Sequence, residues 1–366
     1  MQVDGIKFVS SGKCLSRNEN GEICFVDGLI PGEKATVNIK YVKSKIKFAE
    51  VEALQTQSED RVEPPCPYVS KGCGGCDWQH IKIDEQSKYK REIFIDALTR
   101  ITKLDHAEDY VDQIEKLDGE NYRVRVRTLL EDGKWGYRKN SSHDFVPIDK
   151  CLVLTDSCQE KVSNIANEYL EKNLIERTVT DDIGKFLGNK LVVSENSFLQ
   201  SHKDAPNKLA NVLIENIKDL GENLFCIDLY SGIGLFSIAL AKSGHKVIAV
   251  EGNPTAVKDA KKNIKGLDVE VVLCDVKEIG LKDSETNVDV VVVDPSREGI
   301  GKDAIDSVLS FGAKRIVLIS CDPASGARDI KLLIESGYEL DRCIPIDMFG
   351  HTHHLEVISI LNQKMV

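Results

Sequence analysis

The chain has 366 residues, of which 42% are hydrophobic, and a formal net charge of −11. This length allows two or three domains with apolar cores, and no run approaches the roughly 18 apolar residues that cross a membrane. Eleven cysteines in a long chain argue against a disulfide framework and for a reducing, cytoplasmic environment. The N-terminus has no basic start followed by an apolar stretch, so we expect no secretory signal.

The first 57 residues have the pattern of a small β-barrel. Short runs with strand character, such as 22–26 and 35–42, are separated by the turn pairs Asn20-Gly21, Asp27-Gly28 and Pro31-Gly32. Small five-stranded barrels of this kind often bind oligonucleotides.

Basic residues form two local clusters within this acidic composition. The first consists of Lys40, Lys43, Lys45 and Lys47, and the second of Arg123, Arg125, Arg127, Arg138 and Lys139. Each cluster fits an RNA-binding surface and equally a solvated strand face, so the charge pattern alone does not decide the function.

A helix is predicted over 84–101, and alternating valines and arginines predict a half-buried strand over 122–127 with one cationic face. After about residue 196, apolar strands alternate with helical stretches, as in a doubly wound parallel sheet. The predicted strands are 224–229, 246–250, 269–273, 288–293 and 315–320, followed by 339–345 and 355–361, which close the sheet.

A glycine turn follows the first of these strands. Gly232 and Gly234 lie where such sheets bind a cofactor, and Glu251 ends the next strand about 20 residues later, placed to hold a ribose diol. The glycines alone also fit a tight turn without a ligand. A dinucleotide fingerprint would continue with a third glycine, but Ser237 occupies that position.

Carboxylates end four of the predicted strands. They are Asp228, Glu251, Asp275 and Asp294. Asp228 suits the ammonium of a methionine better than a diphosphate, and Asp275 can accept the amino group of adenine. The series favours S-adenosylmethionine over NAD as the cofactor.

Cys321 and Glu356 are the candidates for chemistry at the cofactor crevice. Cys321 ends the fifth strand, where Ser-Cys-Asp-Pro interrupts the chain and presents the sulfur at a turn, although a buried cysteine is commonly an inert apolar residue. Glu356 opens the last strand and is the better proton acceptor, although an exposed strand carboxylate is the alternative. The nearby His351, His353 and His354 could suggest zinc, but no further ligand is evident.

A second constellation is formed by Cys66, Cys73 and Cys76, with Gly-Gly between the last two. Three cysteines in eleven residues form a nest for a metal or a cluster. Zinc and an iron–sulfur cluster both require four soft ligands, and the spacing does not choose between them. The fourth ligand is Cys151 or Cys158.

Taken together, these motifs resemble the RNA uridine-5-methyltransferase family, which forms 5-methyluridine in ribosomal and transfer RNA. The resemblance covers nearly the whole chain, and residues 1–57, with the run 28–33, are similar to a TRAM domain, an RNA-binding barrel. The resemblance implies a [4Fe-4S] cluster and prefers Cys151 over Cys158 as its fourth ligand. The implied ligands are Cys66, Cys73, Cys76 and Cys151.

The resemblance also implies roles for the residues of the crevice. The implied cofactor contacts are Gln200, Tyr230, Glu251, Asp275 and Asp294. Cys321 matches the nucleophile in the run S-C-D-P-A-S-G-A-R-D, and Glu356 matches the general base in H-T-H-H-L-E. A thiolate adding to carbon 6 of uracil makes carbon 5 nucleophilic enough to take a methyl group, and a base then removes the carbon 5 proton. We therefore predict S-adenosylmethionine-dependent methylation of a flipped-out uridine in RNA.

This sequence departs from the family pattern at three places. Ser296 replaces the second proline of D-P-P-R, Leu235 stands where some relatives have a cofactor-binding asparagine, and the span 151–200 is short. The barrel and the cluster together favour 23S ribosomal RNA as the substrate, with transfer RNA as the alternative. The rival hypotheses are a catalytically degenerate, cluster-bearing RNA-binding or redox-sensing protein and a small-molecule or DNA methyltransferase.

The predicted fold class is α/β: a Rossmann-like class I methyltransferase domain, an N-terminal OB-like barrel and a small central α+β domain for the cluster. The domain boundaries are 1–57 for the barrel, 58–81 and 113–195 for the central domain, and 82–112 and 196–366 for the methyltransferase domain. The resemblance implies that the helix from about residue 82 to 101 packs on the methyltransferase domain. We expect a cytoplasmic monomer with an RNA partner and no membrane association.

Overall fold

A computed structural model describes residues 1–182, 185–279 and 287–364. The strands of these segments form a closed barrel, a four-stranded sheet, a two-stranded hairpin and an eight-stranded sheet. None of the helices in the described segments combines the length and the apolar character that crossing a bilayer requires.

The N-terminal strands close into the predicted five-stranded barrel. They are β1 (Gln2–Phe8), β2 (Cys14–Arg17), β3 (Ile23–Asp27), β4 (Lys34–Lys43) and β5 (Ile46–Leu54). Their order around the barrel is β1-β2-β3-β5-β4, and β3 and β5 are the parallel pair. Alternate side chains such as Cys24 and Val26 point inward and are fully buried, as the period of two in a strand requires.

Helix α1 (Ile83–Thr102) connects the barrel to the large sheet. Tyr89 and Ile93, in its first part, pack into the barrel core with Trp78. Phe94 and Leu98, one turn further on, belong to the core of the large sheet. The helix therefore packs on both the large sheet and the barrel. The short strand β6 (Glu115–Lys116) then forms the edge of the large sheet.

The central part contains a four-stranded sheet and a helix. Its elements are β7 (Arg125–Glu131), β8 (Lys134–Arg138), β9 (Phe145–Pro147), α2 (Asp156–Glu168) and β10 (Ile175–Thr180). The strand order is β10-β7-β8-β9, and α2 buries Cys158, Val162 and Ala166 against the sheet. The strands β11 (Lys185–Phe186) and β12 (Asn189–Lys190) form the hairpin that follows.

The strand predicted over 122–127 was placed too early, because β7 begins at Arg125. Tyr122 turns inward instead and stacks on His202 with ring centroids 4.8 Å apart. Arg123 forms isolated bridges with Leu154 and His202. The valine–arginine alternation nevertheless holds within β7, where Val126 is buried.

The remaining elements build the eight-stranded sheet and the helices that cover it. They are α3 (Ala205–Glu215), β13 (Phe225–Leu229), α4 (Leu235–Lys242), β14 (Lys246–Glu251), α5 (Pro254–Asn263), β15 (Val269–Leu273), β16 (Val290–Val293), α6 (Gly301–Ser310), β17 (Arg315–Ser320), α7 (Pro323–Glu335), β18 (Tyr338–Asp347) and β19 (Glu356–Gln363). The strand order is β15-β14-β13-β16-β17-β19-β18-β6. β13 to β17 run parallel and β19 runs antiparallel between β17 and β18. This is the predicted class I methyltransferase topology.

The parallel strands end on one edge of the sheet. Leu229 of β13 is in register with Val250 of β14 on one side and Val293 of β16 on the other. Because the strands share a direction, the residues that follow them meet at the same edge. This edge carries the predicted site.

Candidate active site

The turn after β13 lies against the carboxylate at the end of β14. Tyr230, Gly232 and Gly234 have positive φ angles of 60°, 56° and 89°, a conformation that glycine adopts without steric cost. The backbone N–H of Gly232 donates to Glu251 Oε2 at 2.8 Å, and that of Asn253 donates to Glu251 Oε1 at 2.7 Å. The glycine turn and Glu251 are therefore parts of one site.

A cavity of about 40 Å³ opens beside this turn. Three of the predicted cofactor contacts line it, namely Gln200, Tyr230 and Asp294. The apolar part of its lining is Phe198, Leu199, Ile233, Leu235 and Phe236. Asp275 lies near Tyr230, since burial and then the negative charge of Asp275 raise the pKa of the Tyr230 hydroxyl.

Asp228 is a fully buried carboxylate below the turn. Its Oδ2 accepts a hydrogen bond of 2.5 Å from the Ser237 hydroxyl, whereas its Oδ1 and the nearby Ser231 hydroxyl have no partner among the described residues. Burial raises the pKa of Asp228 to about 7. Buried polar atoms normally have partners, so these two orphaned oxygens fit a site that takes a polar ligand.

Cys321 occupies the turn between β17 and α7. Asp322 caps the helix by accepting from the N–H groups of Ala324 and Ser325 at 3.0 and 2.8 Å, and Pro323 occupies the first helical turn, where its missing N–H costs nothing. The cap ends the strand directly before Cys321, and this residue is partly exposed. Burial, followed by the charge of Glu356, raises the pKa of the Cys321 thiol to about 12.

Glu356 begins β19 beside Cys321. Its side chain is buried, and burial together with the charge of Asp294 raises its pKa well above the ordinary range. Burial and the charge of Asp228 raise the pKa of Asp294 to about 7. Asp228, Asp294 and Glu356 therefore hold their protons more tightly than free carboxylic acids do.

Arg297 supplies the positive charge of this site. Its guanidinium lowers the pKa of both Cys321 and Glu356, against the effect of burial. Arg297 Nη2 lies 3.1 Å from Nε2 of His354. Burial lowers the pKa of His354 to about 3, so this ring is neutral and can accept a hydrogen bond from the guanidinium.

The two adjacent histidines do not form a metal site with their surroundings. The rings of His353 and His354 lie 4.1 Å apart, but across the described residues no three His, Cys, Asp or Glu side chains converge closely enough to hold one metal ion.

The four cysteines predicted as cluster ligands line a single cavity. This cavity of about 240 Å³ is bounded by Cys66, Cys73, Cys76 and Cys151. Burial raises the pKa of Cys76 to about 12, and the charges of the other three cysteines act in the same direction. The Tyr137 hydroxyl lies 3.7 Å from Cys151 Sγ and can donate to it.

Cys158 is not among the residues that line this cavity. It is fully buried in the apolar cluster that α2 forms with the central sheet.

Asp329 has a role in this region that no sequence motif predicted. Its carboxylate accepts the backbone N–H groups of Ile300 at 2.7 Å and Gly301 at 3.3 Å. Gly299 passes so close that an added Cβ would lie 2.4 Å from Asp329 Oδ2. Asp329 thereby anchors the loop that carries Asp294 and Arg297. The available signal was its position eight residues after Cys321, on the helix that Cys321 precedes.

Two family models match the carboxyl-terminal half of the chain. The TRM5/TYW2 methyltransferase domain matches residues 213–318, and the tRNA (uracil-5-)-methyltransferase family matches residues 273–364. The second match spans Asp294, Cys321 and Glu356.

Similar proteins match over almost their whole length. An uncharacterized RNA methyltransferase of Streptomyces avermitilis is 29% identical, with 96% of this chain and 95% of the relative covered. A 23S rRNA (uracil(1939)-C(5))-methyltransferase RlmD of Shewanella woodyi is 29% identical over 93% of this chain and 91% of the relative. The tRNA (uracil-54, C5)-methyltransferase of Pyrococcus abyssi, solved with S-adenosyl-L-homocysteine, shares the fold with a TM-score of 0.72 at 21% identity and covers 99% of this chain and 100% of that one.

The strand order and the cofactor turn define an S-adenosylmethionine-dependent class I methyltransferase. The residues at the ends of β16, β17 and β19 lie within the matched uracil-5-methyltransferase segment. The chain is therefore similar to RNA (uracil-5-)-methyltransferases, both in the matched segment and, at 29% identity, over nearly its whole length.

Proposed function

We propose that the enzyme methylates its uridine through a covalent adduct on Cys321, with Glu356 as the general base. The observation that carries this proposal is the position of a partly exposed thiol and a buried carboxylate at adjoining strand ends, both next to Asp294 of the cofactor cavity. Arg297 adds the positive charge that favours a thiolate.

The proposed reaction needs a nucleophile and a proton acceptor. Bound S-adenosylmethionine supplies an electrophilic methyl group. The Cys321 thiol loses its proton to water, and the thiolate forms a bond from its sulfur to carbon 6 of the uracil. Carbon 5 of the resulting enolate would then take the methyl group, with S-adenosylhomocysteine as the leaving group. Glu356 in its ionised form then accepts the carbon 5 proton, and its raised pKa makes it a stronger base than a free carboxylate. The bond from sulfur to carbon 6 breaks as the double bond between carbons 5 and 6 is restored.

RNA that contains 5-fluorouridine at the target tests this proposal. Fluorine cannot leave carbon 5 as a proton, so the adduct should persist through denaturation and map to Cys321 by peptide mass spectrometry. The matched Cys321→Ser variant should form none. Absence of an adduct from enzyme that is fully active on the natural uridine would contradict the assignment.

The predicted cofactor contacts are also part of the proposal. Glu251 would hold the ribose hydroxyls, Asp275 the adenine amino group, and Gln200, Tyr230 and Asp294 the rest of the cofactor. Loss of one charge-assisted hydrogen bond costs about 1.5–3 kcal/mol, so Glu251→Gln should weaken S-adenosylmethionine binding by about 10- to 100-fold in calorimetry. Glu270→Gln, on the exposed side of β15, is the matched control and should bind normally.

We further propose that Cys66, Cys73, Cys76 and Cys151 hold a [4Fe-4S] cluster. A zinc ion keeps its sulfur ligands at about 2.3 Å, and therefore within about 4 Å of one another. The cavity of about 240 Å³ that the four cysteines line provides more space than a single ion needs. Four soft thiols around one cavity fit the ligand requirement of the cluster.

Metal and sulfide analysis of protein purified without oxygen tests the cluster. We expect iron and acid-labile sulfide in near-equal amounts, lost in Cys151→Ala and retained in Cys158→Ala. Zinc without sulfide, or equal loss in both variants, would contradict the proposal.

For the substrate we propose 23S ribosomal RNA, recognised in part by the N-terminal barrel and acted on by a monomer. The near full-length similarity to a 23S rRNA methyltransferase from Shewanella woodyi supports ribosomal RNA. Mapping 5-methyluridine in RNA from cells with and without the gene tests it. A position lost from 23S RNA is expected, whereas loss confined to transfer RNA would support the alternative.

A further inference from the structure

The segment that precedes Glu356 is held by residues from outside the large sheet. We call residues 349–355, between β18 and β19, the histidine loop. The segment that carries Cys76 reaches this loop, because Asp77 and Trp78, the two residues after Cys76, both contact it. The cysteine cavity and the catalytic strand are therefore connected through a few covalent and hydrogen bonds.

Asp77 contacts His353 through both carboxylate oxygens. Oδ1 accepts the backbone N–H of His353 at 3.2 Å, and Oδ2 makes a short hydrogen bond with Nδ1 of the same ring. A carboxylate that engages both the backbone and the ring fixes the position and the rotation of the residue together.

The neighbouring contacts leave the loop little freedom on this side. The backbone N–H of Trp78 donates to the carbonyl of His351 at 3.0 Å, and the Trp78 indole donates to the carbonyl of Gly12 in the barrel at 2.9 Å. A Cβ added to Gly12 would lie 2.5 Å from Cγ of His353. The His353 ring is thus confined between Asp77 and the barrel.

On the side of the histidine loop opposite Asp77, His354 connects His353 to Arg297. The His353 ring packs 4.1 Å from the His354 ring, and His354 contacts the guanidinium of Arg297 at 3.1 Å. Arg297 is the side chain whose charge acts on both Cys321 and Glu356. A displacement of His353 would therefore move His354 and release Arg297 from its contact.

We propose that Asp77 is a positioning residue for the methylation reaction, which acts through His353 and His354 on Arg297 beside Cys321. This inference rests on the proposed roles of Cys321 and Glu356. It gives the segment that carries Cys76 a part in catalysis, whichever metal group the cysteines hold. Asp77 itself does not touch the reacting atoms.

The solvent exposure of the Asp77 and His353 side chains distinguishes a positioning role from a purely structural one. The Asp77 side chain is 38% exposed and that of His353 is 20% exposed, and exposed ion pairs contribute little to stability. The buried pair of Lys90 and Asp347, which also supports the loop, is by contrast part of the core. Removal of the Asp77 carboxylate should therefore leave the fold intact.

The test compares Asp77→Ala with Asp149→Ala in the intact protein. Asp149 lies two residues before Cys151, another cysteine of the same cavity, and its carboxylate accepts from the Tyr68 hydroxyl at 2.9 Å. Misplacement of a catalytic group by about 1 Å can cost on the order of 100-fold in rate. We expect Asp77→Ala to lower kcat by about 10- to 100-fold, with KM for RNA within about twofold of wild type.

A second measurement reports on the position of Arg297 and does not require catalytic turnover. We expect the alkylation of Cys321 by iodoacetamide at pH 8 to slow several-fold in Asp77→Ala, as it should in Arg297→Met, and to be unchanged in Asp149→Ala. His353→Asn, whose amide can replace Nδ1 as a donor, should retain more kcat than His353→Ala; this pair tests the same contact if Asp77→Ala fails to fold.

Wild-type kcat and alkylation in Asp77→Ala would overturn the inference, as would equal losses in Asp149→Ala. Equal activity in the two His353 variants would also overturn it. Failure of the proposed nucleophile would instead appear as a missing 5-fluorouridine adduct in the wild-type enzyme.

Discussion

Cys321 and Glu356 adjoin the same rung of the large sheet. Ser320, the last residue of β17, pairs with Val357 near the start of antiparallel β19. Cys321 follows Ser320 and Glu356 precedes Val357, so these two residues occupy the next rung. The ladder brings together two side chains that are 35 positions apart in sequence. Their separation is consequently fixed by backbone hydrogen bonds, as preorganised catalysis requires.

Replacement of Glu356 should stop the reaction after methyl transfer. Glu356→Gln keeps the size of the side chain but cannot accept the carbon 5 proton, so we expect turnover to fall by about 100- to 10,000-fold. A covalent complex with natural RNA should accumulate and survive a denaturing gel. Glu298→Gln, in the exposed loop beside Arg297, should turn over normally. A Glu356→Gln enzyme that releases methylated RNA at the normal rate would exclude Glu356 as the base.

Much of this arrangement follows from local sequence patterns. The apolar runs and glycine turn predicted the parallel strands, and parallel strands place Tyr230, Glu251 and Asp294 at one edge wherever the sheet forms. The fixed register makes this prediction strong because all these strands point the same way.

The contacts that could not be predicted from the sequence are those between elements that lie far apart along the chain. Asp77 and His353 are 276 positions apart, and Tyr122 donates to the carbonyl of Gly350 over 228 positions. No periodicity encodes such pairs, because their partners are chosen by how the domains pack. The start of β7 was misplaced for the same reason, since Tyr122 is drawn out of the strand by tertiary contacts that override its local preference.

The reactivity of the Cys321 thiol should rise steeply with pH. Its pKa of about 12 leaves it protonated at neutral pH, so the thiolate fraction grows about tenfold with each pH unit below that value. Alkylation of Cys321, followed by mass spectrometry in the absence of RNA, should therefore keep increasing from pH 7 to pH 10. A rate that levels off near pH 8.5, the value for a free cysteine, would contradict the effect of burial.

Asp228 should make the stability of the enzyme depend on pH. Its pKa of about 7 in the folded protein lies above the ordinary value of 3.8, so the folded state binds the proton more tightly than the unfolded state. The wild type therefore loses stability as pH rises from about 4 to about 7, at up to 1.4 kcal/mol per unit. Asp228→Asn has no such titration, so its stability relative to wild type should increase between pH 5 and pH 8.

Asp289 provides the control of opposite sign for this titration. The Lys314 ammonium at 2.7 Å and the Phe225 N–H help to hold the pKa of Asp289 below its ordinary value, against the effect of burial. Its stabilising charge is present above pH 4 and is lost only in acid. Asp289→Asn should thus be less stable than wild type by a constant amount at pH 5 and pH 8. Urea midpoints at both pH values measure the two variants, and parallel behaviour would contradict the Asp228 assignment.

We propose that an aromatic surface of the barrel contacts the RNA. Tyr41 of β4 stacks on Phe48 of β5 with ring centroids 4.7 Å apart, and Phe25 lies 5.5 Å beyond Phe48. Tyr41 is 55% exposed, and Lys43 and Lys45 lie at the adjoining hairpin tip. Exposed stacked rings beside cations are the combination that binds unpaired bases.

Removal of the outer ring should therefore weaken RNA binding without affecting chemistry. Base stacking on an aromatic side chain contributes about 1–3 kcal/mol, which corresponds to about a 5- to 150-fold rise in KM for RNA in Tyr41→Ala. kcat should be unchanged, because Tyr41 is not among the residues that line the proposed cofactor cavity. Tyr41→Phe keeps the ring and should retain the wild-type KM. Steady-state kinetics distinguish the cases: an unchanged KM in Tyr41→Ala would place the RNA elsewhere, and a fall in kcat would mean that the barrel also orders the active site.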